Sequence, residues 1–286
     1  MKTLVMCPPT YFDVKYELNT NRWMDLSNRP NKALAQKQWR ALYEGCLAAG
    51  LDIFLLSPGP DLPDMTFAAN AGLSYRDLFI MSNFYHSERR PESVCNSRFF
   101  EQFFEKTRVL PDGAYFEGQG DAVWLDDSRL IIGYGIRTNL NGVAEVERLI
   151  KTHKVLNNHC ADIEVIPLPM RPIEKTPKNR EVFYHLDTCL LYIKQVNTFL
   201  VYPHAFLSET LEKLCSIGNV IEVTRSEACK FVCNSVVIDF KTIFMPWVNE
   251  RIKKKLNNLG YTDIRVFPMT EFIRAGGAAK CLILEL

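Results

Sequence analysis

The chain has 286 residues, with 34 lysines and arginines against 33 aspartates and glutamates, and a formal net charge of +1 at pH 7. This balance excludes the strongly basic surface by which proteins bind nucleic acid or an anionic membrane. Hydrophobic residues make up 47% of the chain, an ordinary content for a globular protein. No apolar run is long enough to cross a bilayer.

The N-terminus and the cysteines indicate a cytoplasmic protein. Residues 1–9 hold one lysine and an apolar run that is too short for a signal peptide. The nine cysteines are an odd number with irregular spacing, which favours thiols in a reducing compartment over a disulfide framework. Secretion by a non-classical route stays open. Cys229 and Cys233 have helical spacing, but no second pair accompanies them, so we expect no metal.

The first elements are predicted to be a strand, a loop, a helix and a strand. Residues 3–7 are apolar and end at two prolines, which predicts a buried strand. Residues 11–31 show no clear period and are predicted to form a loop, and residues 52–56 form the next strand. The intervening helix is predicted over residues 31–49, where apolar side chains recur at helical spacing: Leu34, Trp39, Leu42 and Leu47.

A repeating unit follows, in which a β-hairpin precedes a helix and a third strand. The hairpins are predicted over residues 71–84, 121–135, 187–202 and 233–245. The helices are predicted over residues 97–106, 143–152, 208–217 and 247–259. The third strands are predicted over residues 107–110, 162–168, 220–223 and 263–267. Residues 281–286 and 3–7 supply the two halves of a fifth unit.

A repeat of about 50 residues is typical of a closed radial array. Splitting one unit between the two termini would close the ring and leave few open strand edges. No linker or low-complexity segment interrupts the pattern, so we predict one domain over residues 1–286. The alternative architecture is an open mixed α/β sheet.

Polar residues stand just before the hairpins. They are Asp64 and Asn70, Glu117 and Asp121, His185 and Asp187, Asn234, and Cys281 in the fifth unit. In a radial array, equivalent ends of the repeats converge on the axis, so we expect these side chains to surround one pocket. His185 and Asp187 are two residues apart, and at the entrance of a strand they would point to the same face.

Such a pocket has a chemical meaning. Carboxylates attract and orient a planar cation, most naturally a guanidinium. Cys281 is the candidate nucleophile, because a thiolate attacks carbon readily near neutral pH. Histidine as a residue type titrates near neutral pH, so His185 is the candidate acid and base. Taken singly, each residue also has a structural interpretation: a core thiol for Cys281, and turns or caps for His185, Asp187, Asp64 and Asn70.

Together these residues resemble the guanidino-group modifying enzymes, the pentein family. The motifs that carry the resemblance are Leu-Pro-Asp-Met-Thr-Phe at 62–67, Phe-Glu-Gly-Gln-Gly-Asp at 116–121, Gly-Tyr-Gly-Ile-Arg-Thr at 133–138, His-Leu-Asp-Thr at 185–188, and Cys281. The resemblance covers the whole chain. It implies an α/β fold, a five-bladed propeller of pseudo-fivefold ββαβ repeats, and an enzyme without a cofactor or metal.

The resemblance also assigns roles to residues. Cys281 is similar to the family's nucleophile, His185 to its general acid and base, and Glu117 to its catalytic carboxylate. The residues that the resemblance assigns to substrate binding are Asp64, Asn70, Asp121, Asp187, Arg89 and Arg137. Of these, Arg89 and Arg137 resemble the arginines that hold the substrate's α-carboxylate.

Asn70 departs from the deiminases and dimethylargininases, which carry an aspartate there. Its surroundings, Phe-Ala-Ala-Asn-Ala-Gly, are similar to the arginine dihydrolases, which convert arginine to ornithine, carbon dioxide and two ammonia molecules. An amide also donates a hydrogen bond, so it can hold the neutral ureido oxygen of citrulline.

We therefore expect a hydrolase of C–N bonds in L-arginine that acts through a covalent thiouronium adduct, with dihydrolase chemistry preferred. Arginine deiminase, dimethylarginine dimethylaminohydrolase and amidinotransferase are alternatives within the family. An arginine-binding pseudo-enzyme is the non-enzyme alternative, although a sensor needs no nucleophile. The expected partner is a small molecule, without nucleic acid or membrane, and a homo-oligomer stays open.

Overall fold

The computed structural model describes residues 3–156, 162–176 and 182–286, and mixes α-helices with small β-sheets. The strands are β1 (Thr3–Met6), β2 (Asp52–Leu55), β3 (Gly72–Tyr75), β4 (Leu78–Met81), β5 (Lys106–Arg108), β6 (Ala122–Trp124), β7 (Arg129–Tyr134), β8 (Glu164–Pro169), β9 (Leu190–Ile193), β10 (Thr198–Val201), β11 (Asn219–Glu222), β12 (Val236–Val237), β13 (Thr242–Met245), β14 (Asp263–Val266) and β15 (Leu284–Glu285). The helices are α1 (Lys32–Ala48), α2 (Glu92–Phe100), α3 (Leu140–Leu156), α4 (Leu186–Cys189), α5 (Ser208–Ile217), α6 (Arg225–Ala228), α7 (Glu250–Asn258) and α8 (Thr270–Ile273).

Within the described ranges the strands form five three-stranded sheets of one design. Their strand orders are β3-β4-β5, β6-β7-β8, β9-β10-β11, β12-β13-β14 and β15-β1-β2. In each sheet the middle strand runs antiparallel to the first strand and parallel to the third. A helix connects the middle strand to the third, since parallel neighbours need a crossover connection. The predicted order of hairpin, helix and strand is confirmed, and the fifth sheet joins both ends of the chain.

The helices bury one face each, though not always the predicted one. Helix α1 begins after Asn31, whose side chain accepts a hydrogen bond from the Leu34 backbone N–H. Its buried stripe is Ala35, Trp39, Leu42 and Cys46. Leu34 and Leu47, which the spacing assigned to the core, are 40% and 46% exposed. At both ends of the helix, the buried stripe is therefore shifted by one residue from the predicted one.

Two further predictions need correction. Helix α2 begins at Glu92 and ends at Phe100, whereas the sequence suggested residues 97–106. The prediction that His185 and Asp187 lie at the entrance of a strand is wrong. Leu186–Cys189 form a helical turn, and the strand begins only at Leu190.

No helix in the described part of the chain is both long and apolar enough to cross a membrane. The cysteines in those ranges form no disulfide bond with one another, and Cys160 lies outside the described residues.

Candidate active site

The candidate site is built from the segments that lead into the first strand of each sheet. Short 3₁₀ turns, Pro63–Thr66 and Ala68–Ala71, lead into β3 and carry Asp64 and Asn70. Glu117 directly precedes the turn Gly118–Gly120 before β6. Gly118 has a φ of 61°, and a Cβ atom there would lie 2.7 Å from the Gly72 carbonyl oxygen, so this turn requires glycine.

Hydrogen bonds join these segments in a closed circuit through all five sheets. The links are Asn70 Nδ2 to the Glu117 carbonyl (3.3 Å), His185 Nε2 to Glu117 Oε2 (2.7 Å), Asn234 Nδ2 to the Asp187 carbonyl (3.1 Å), Asn234 Nδ2 to Cys281 Sγ (3.0 Å), and the Ala69 N–H to the Cys281 carbonyl (3.1 Å). The structure therefore brings these segments into contact with one another.

His185 and Glu117 form a buried pair. His185 is extended, with φ −121° and ψ 152°, and is 1% exposed. Burial by itself would raise the pKa of Glu117, but the charge of Arg137 and the hydrogen bond from His185 hold that pKa below its ordinary value. Because Glu117 is then an ionised acceptor, we assign the proton between the two to His185 Nε2, which donates it. Glu117 thereby fixes the orientation of the imidazole.

Cys281 lies in the turn before β15, with its thiol between two side chains. Its Sγ donates to Asp187 Oδ2 at 3.1 Å and accepts from Asn234 Nδ2 at 3.0 Å. Burial, together with the charge of Asp187, raises the pKa of the Cys281 thiol well above its ordinary value. The resting group is therefore a neutral thiol, and it must lose its proton before it can act as a nucleophile.

Asp64 and Asp187 each have one buried carboxylate oxygen, Oδ1, without a hydrogen-bond partner in the described part of the chain. The other oxygen of Asp64 accepts from the Tyr16 hydroxyl at 2.8 Å. Burial raises the pKa of Asp187 to about 6 and also raises that of Asp64. Unpaired buried acceptors are rare in proteins, and a cation with several N–H groups would satisfy both.

Asn70 and Arg89 are held by each other. Arg89 Nη1 donates to Asn70 Oδ1 at 2.9 Å, and the same guanidinium makes a two-point ion pair with Glu92 at 2.8 and 2.9 Å. Arg89 is thus already neutralised within the protein. Its predicted contact with a substrate carboxylate stays a prediction.

Arg137 is likewise buried against the protein. Its Nη1 donates to Glu117 Oε2 at 2.9 Å and its Nε donates to Thr20 Oγ1 at 2.7 Å, while the guanidinium stacks over Tyr184 at 4.7 Å from the ring centre. Any carboxylate that Arg137 binds must share it with Glu117.

Asp121, predicted to bind substrate, has protein partners on both oxygens. Oδ2 accepts from the Thr138 hydroxyl at 2.7 Å and Oδ1 accepts from the Leu186 backbone N–H at 3.1 Å. Burial raises the pKa of Asp121 to about 6. The contact with Leu186 anchors the turn that follows His185, so the geometry favours a positioning role over direct binding.

Several residues around the site are not among the predicted site residues, Asn234 and Thr20 among them. Asn234 precedes its hairpin and contacts the thiol directly. Thr20 lies in the segment predicted to be a loop, and its contact with Arg137 joins residues 117 positions apart. Only the spacing before the hairpins could have identified Asn234, and no local pattern marks Thr20. Within the described ranges, no group of three or more acidic, histidine or cysteine side chains is placed to hold a metal ion.

Comparisons with known proteins find relatives over nearly the whole chain. The model of the family "N,N dimethylarginine dimethylhydrolase, eukaryotic" matches residues 9–286. The bifunctional arginine dihydrolase/ornithine cyclodeaminase ArgZ of Synechocystis is 34% identical, over 99% of this chain and 37% of that protein. The N(G),N(G)-dimethylarginine dimethylaminohydrolase of Mycobacterium tuberculosis is 29% identical, over 98% of this chain and 84% of that protein.

A solved structure of the N-terminal domain of ArgZ, an arginine dihydrolase bound to product, matches with a TM-score of 0.87. It is 32% identical, over 99% of this chain and 97% of that chain. Another ArgZ domain structure, covalently bound to a reaction intermediate, has the same TM-score at 31% identity and covers 100% of this chain and 97% of that one. The chain spans about 37% of the length of the full cyanobacterial proteins. With a family match across nearly all of its residues, this chain belongs to the N,N dimethylarginine dimethylhydrolase family.

Proposed function

We propose that the protein hydrolyses the guanidino group of L-arginine as an arginine dihydrolase, with ornithine, carbon dioxide and two ammonia molecules as products. The observation that carries the proposal is the pair of Cys281 and Asp187. One oxygen of Asp187 accepts from the thiol, and the other is buried without a partner among the described residues. This is the arrangement that a guanidinium needs: a nucleophile at its carbon and an anion at its nitrogens.

Substrate recognition follows from the charges. The guanidinium would satisfy the unpaired oxygens of Asp187 and Asp64. The α-carboxylate would pair with Arg137, and with Arg89 where the substrate reaches it. Because both arginines already have anionic partners, the substrate adds a second anion to each instead of neutralising a bare charge.

In the first half-reaction, the thiol proton of Cys281 passes to His185, which leaves a thiolate and an imidazolium. The thiolate attacks the guanidinium carbon, and the new C–S bond gives a neutral tetrahedral adduct. His185 returns the proton to one nitrogen, the C–N bond breaks, and ammonia leaves. An S-alkylthiouronium cation remains on Cys281. Glu117 supports the imidazolium through its 2.7 Å hydrogen bond.

In the second half-reaction, His185 takes a proton from water, and the oxygen attacks the thiouronium carbon. The C–S bond breaks, Cys281 leaves as a thiolate, and citrulline forms after its oxygen loses a proton to solvent. A second round on citrulline releases the second ammonia and leaves a thiocarbamate. Hydrolysis of the thiocarbamate gives a carbamate that splits into carbon dioxide and ornithine.

Asn70 separates this proposal from the alternatives. Its Nδ2 makes one protein contact, at 3.3 Å, so in the described part of the chain its second N–H has no acceptor and can meet the ureido oxygen of citrulline. Deiminase chemistry would stop at citrulline. Dimethylarginine dimethylaminohydrolase is the second candidate, favoured by the family match and the mycobacterial relative. An amidinotransferase would need an amine in place of water.

We further propose that residues 1–286 form one domain whose five sheets close into a five-bladed propeller. The closed circuit of hydrogen bonds among the five segments supports this arrangement, because each link joins consecutive sheets. A small molecule is the proposed partner, the cytoplasm is the proposed location, and the oligomeric state is left to measurement.

One assay separates the candidates. Pure protein is incubated with arginine, citrulline or asymmetric dimethylarginine, and ornithine, citrulline, ammonia and dimethylamine are quantified, with Cys281→Ser as the control. We expect two ammonia molecules per ornithine from arginine, and ornithine from citrulline. Citrulline as the sole end product would replace the dihydrolase with a deiminase. Dimethylamine release as the only activity would assign the dimethylarginine hydrolase.

A further inference from the structure

Asn234 uses every hydrogen-bonding position of its side-chain amide. Its Oδ1 accepts from the backbone N–H groups of Ala278 and Cys281 at 3.1 and 3.2 Å. Its Nδ2 donates to the Asp187 carbonyl oxygen at 3.1 Å and to Cys281 Sγ at 3.0 Å. The side chain is fully buried. Because only an oxygen can accept from two backbone N–H groups, the orientation of the amide is fixed, with its NH₂ group on the sulfur.

We infer that Asn234 is a further catalytic residue, whose amide N–H stabilises the Cys281 thiolate and aims it at the guanidino carbon. The inference rests on the proposed function in taking Cys281 as the nucleophile. It adds a residue from the segment before β12, which belongs to a different sheet from that of Cys281.

The physical need for such a donor is visible in the surroundings of the sulfur. Cys281 is 2% exposed, so water contributes little to stabilising a negative charge there. The titratable groups that act on it are Asp187, whose carboxylate opposes a second negative charge, and Tyr184, with Lys280 next in the chain. A neutral N–H at 3.0 Å strengthens when its acceptor becomes a thiolate, because hydrogen bonds to ionised acceptors are the stronger ones.

The competing explanation is that Asn234 only fixes the turn 278–281 through its two backbone contacts. The two roles separate in a pair of variants. In Asn234→Asp, a carboxylate keeps the shape and can still accept from the Ala278 and Cys281 N–H groups, but it cannot donate to the sulfur, and it adds a negative charge beside the thiolate. Because that charge alone would raise the apparent pKa of the thiol, the uncharged variant Asn234→Ser decides between the roles. A purely structural role would leave the ionisation of the thiol in Asn234→Ser unchanged.

The test measures thiolate formation without any arginine. The folded protein is alkylated with iodoacetamide across a pH series, and modification of Cys281 is followed by peptide mass mapping, with Cys281→Ser marking the background. In Asn234→Asp we expect the apparent pKa of alkylation to rise by at least about one unit, which is about tenfold less thiolate at a given pH below it. Turnover of arginine should fall at least tenfold in kcat, with KM changed less than threefold.

Two further variants keep the result decisive. Asn141→Asp introduces the same charge at an exposed position in the first turn of α3 and should leave the alkylation profile unchanged. Asn234→Ser adds no charge and replaces the amide donor with a shorter hydroxyl group. The apparent pKa of alkylation in Asn234→Ser should lie above that of wild type and below that of Asn234→Asp. A wild-type profile in either folded Asn234 variant overturns the inference. Since no substrate is present, failure here is distinct from the absence of dihydrolase activity in wild type.

Discussion

Replacing Asn70 with aspartate is expected to shift the product from ornithine towards citrulline. In the structure, Asn70 Oδ1 accepts from Arg89 at 2.9 Å and Nδ2 donates to the Glu117 carbonyl at 3.3 Å. Aspartate keeps the first contact, but its other oxygen then faces a carbonyl oxygen. The variant also has no N–H to offer the ureido oxygen of bound citrulline.

The magnitude follows from hydrogen-bond energetics. A buried acceptor left without its donor costs roughly 1–3 kcal/mol. Each 1.4 kcal/mol is about a factor of ten in an equilibrium constant, so the fraction of citrulline that stays bound for the second round should fall by about 5- to 150-fold. Arginine, which is cationic and offers only N–H donors, should bind the new carboxylate at least as well. The first ammonia is therefore expected to be released at nearly the wild-type rate.

The assay measures, by mass spectrometry, the ratio of ornithine to citrulline formed from arginine in reactions that contain only the purified protein as enzyme. Asn141→Asp, with the same charge change on an exposed helical turn, is the matched control and should retain the wild-type ratio. An unchanged ratio in Asn70→Asp would refute the argument that the amide N–H retains citrulline.

Three other perturbations probe the same site. Glu117→Gln removes the charge that supports the imidazolium, and should lower kcat about 10²- to 10⁴-fold in steady-state kinetics; a loss below tenfold would contradict its role. Gly120→Ala puts a Cβ atom onto Asn70 Nδ2 and should destabilise the protein by about 1–3 kcal/mol in urea unfolding; an unchanged free energy of unfolding would contradict this prediction. Burial raises the pKa of Asp187 from 3.8 to about 6, so its contribution to stability falls as pH rises through that window, by about 3 kcal/mol. Asp187→Asn should lack this fall. A difference in the free energy of unfolding between the variant and wild type that stays constant from pH 4 to 7 would refute the prediction.

The repeating architecture was predictable because it is encoded locally. Each hairpin has apolar strands separated by a polar turn, and helix α5 has the predicted bounds, Ser208–Ile217. Helix α2 begins before the predicted residue 97, directly after Pro91, which is a usual residue at a helix N-terminus. The helical turn at Leu186 was missed because four residues are too few to show a period.

The site was predictable in its members and not in their pairings. The position of Cys281 and His185 before hairpins identified them as site residues. It did not predict that the thiol contacts Asp187 or that the imidazole contacts Glu117. Such pairings depend on how sheets far apart in sequence are brought together. The ion pair of Arg89 with Glu92 is an exception, since the two residues are three positions apart in the chain, and such a local pair could be predicted from the sequence.

The hydrogen bonds of Glu117 also connect Arg137 to His185. Arg137 Nη1 and His185 Nε2 bond the same oxygen of Glu117, at 2.9 and 2.7 Å. A carboxylate that draws Arg137 towards itself weakens the hold of Arg137 on Glu117 and leaves more of that negative charge to His185. The hydrogen bond between Glu117 and His185 would then strengthen, because it no longer competes with Arg137 for the same oxygen. In the proposed mechanism, recognition at one end of the substrate would in this way tighten the hold of Glu117 on the imidazole at the other end.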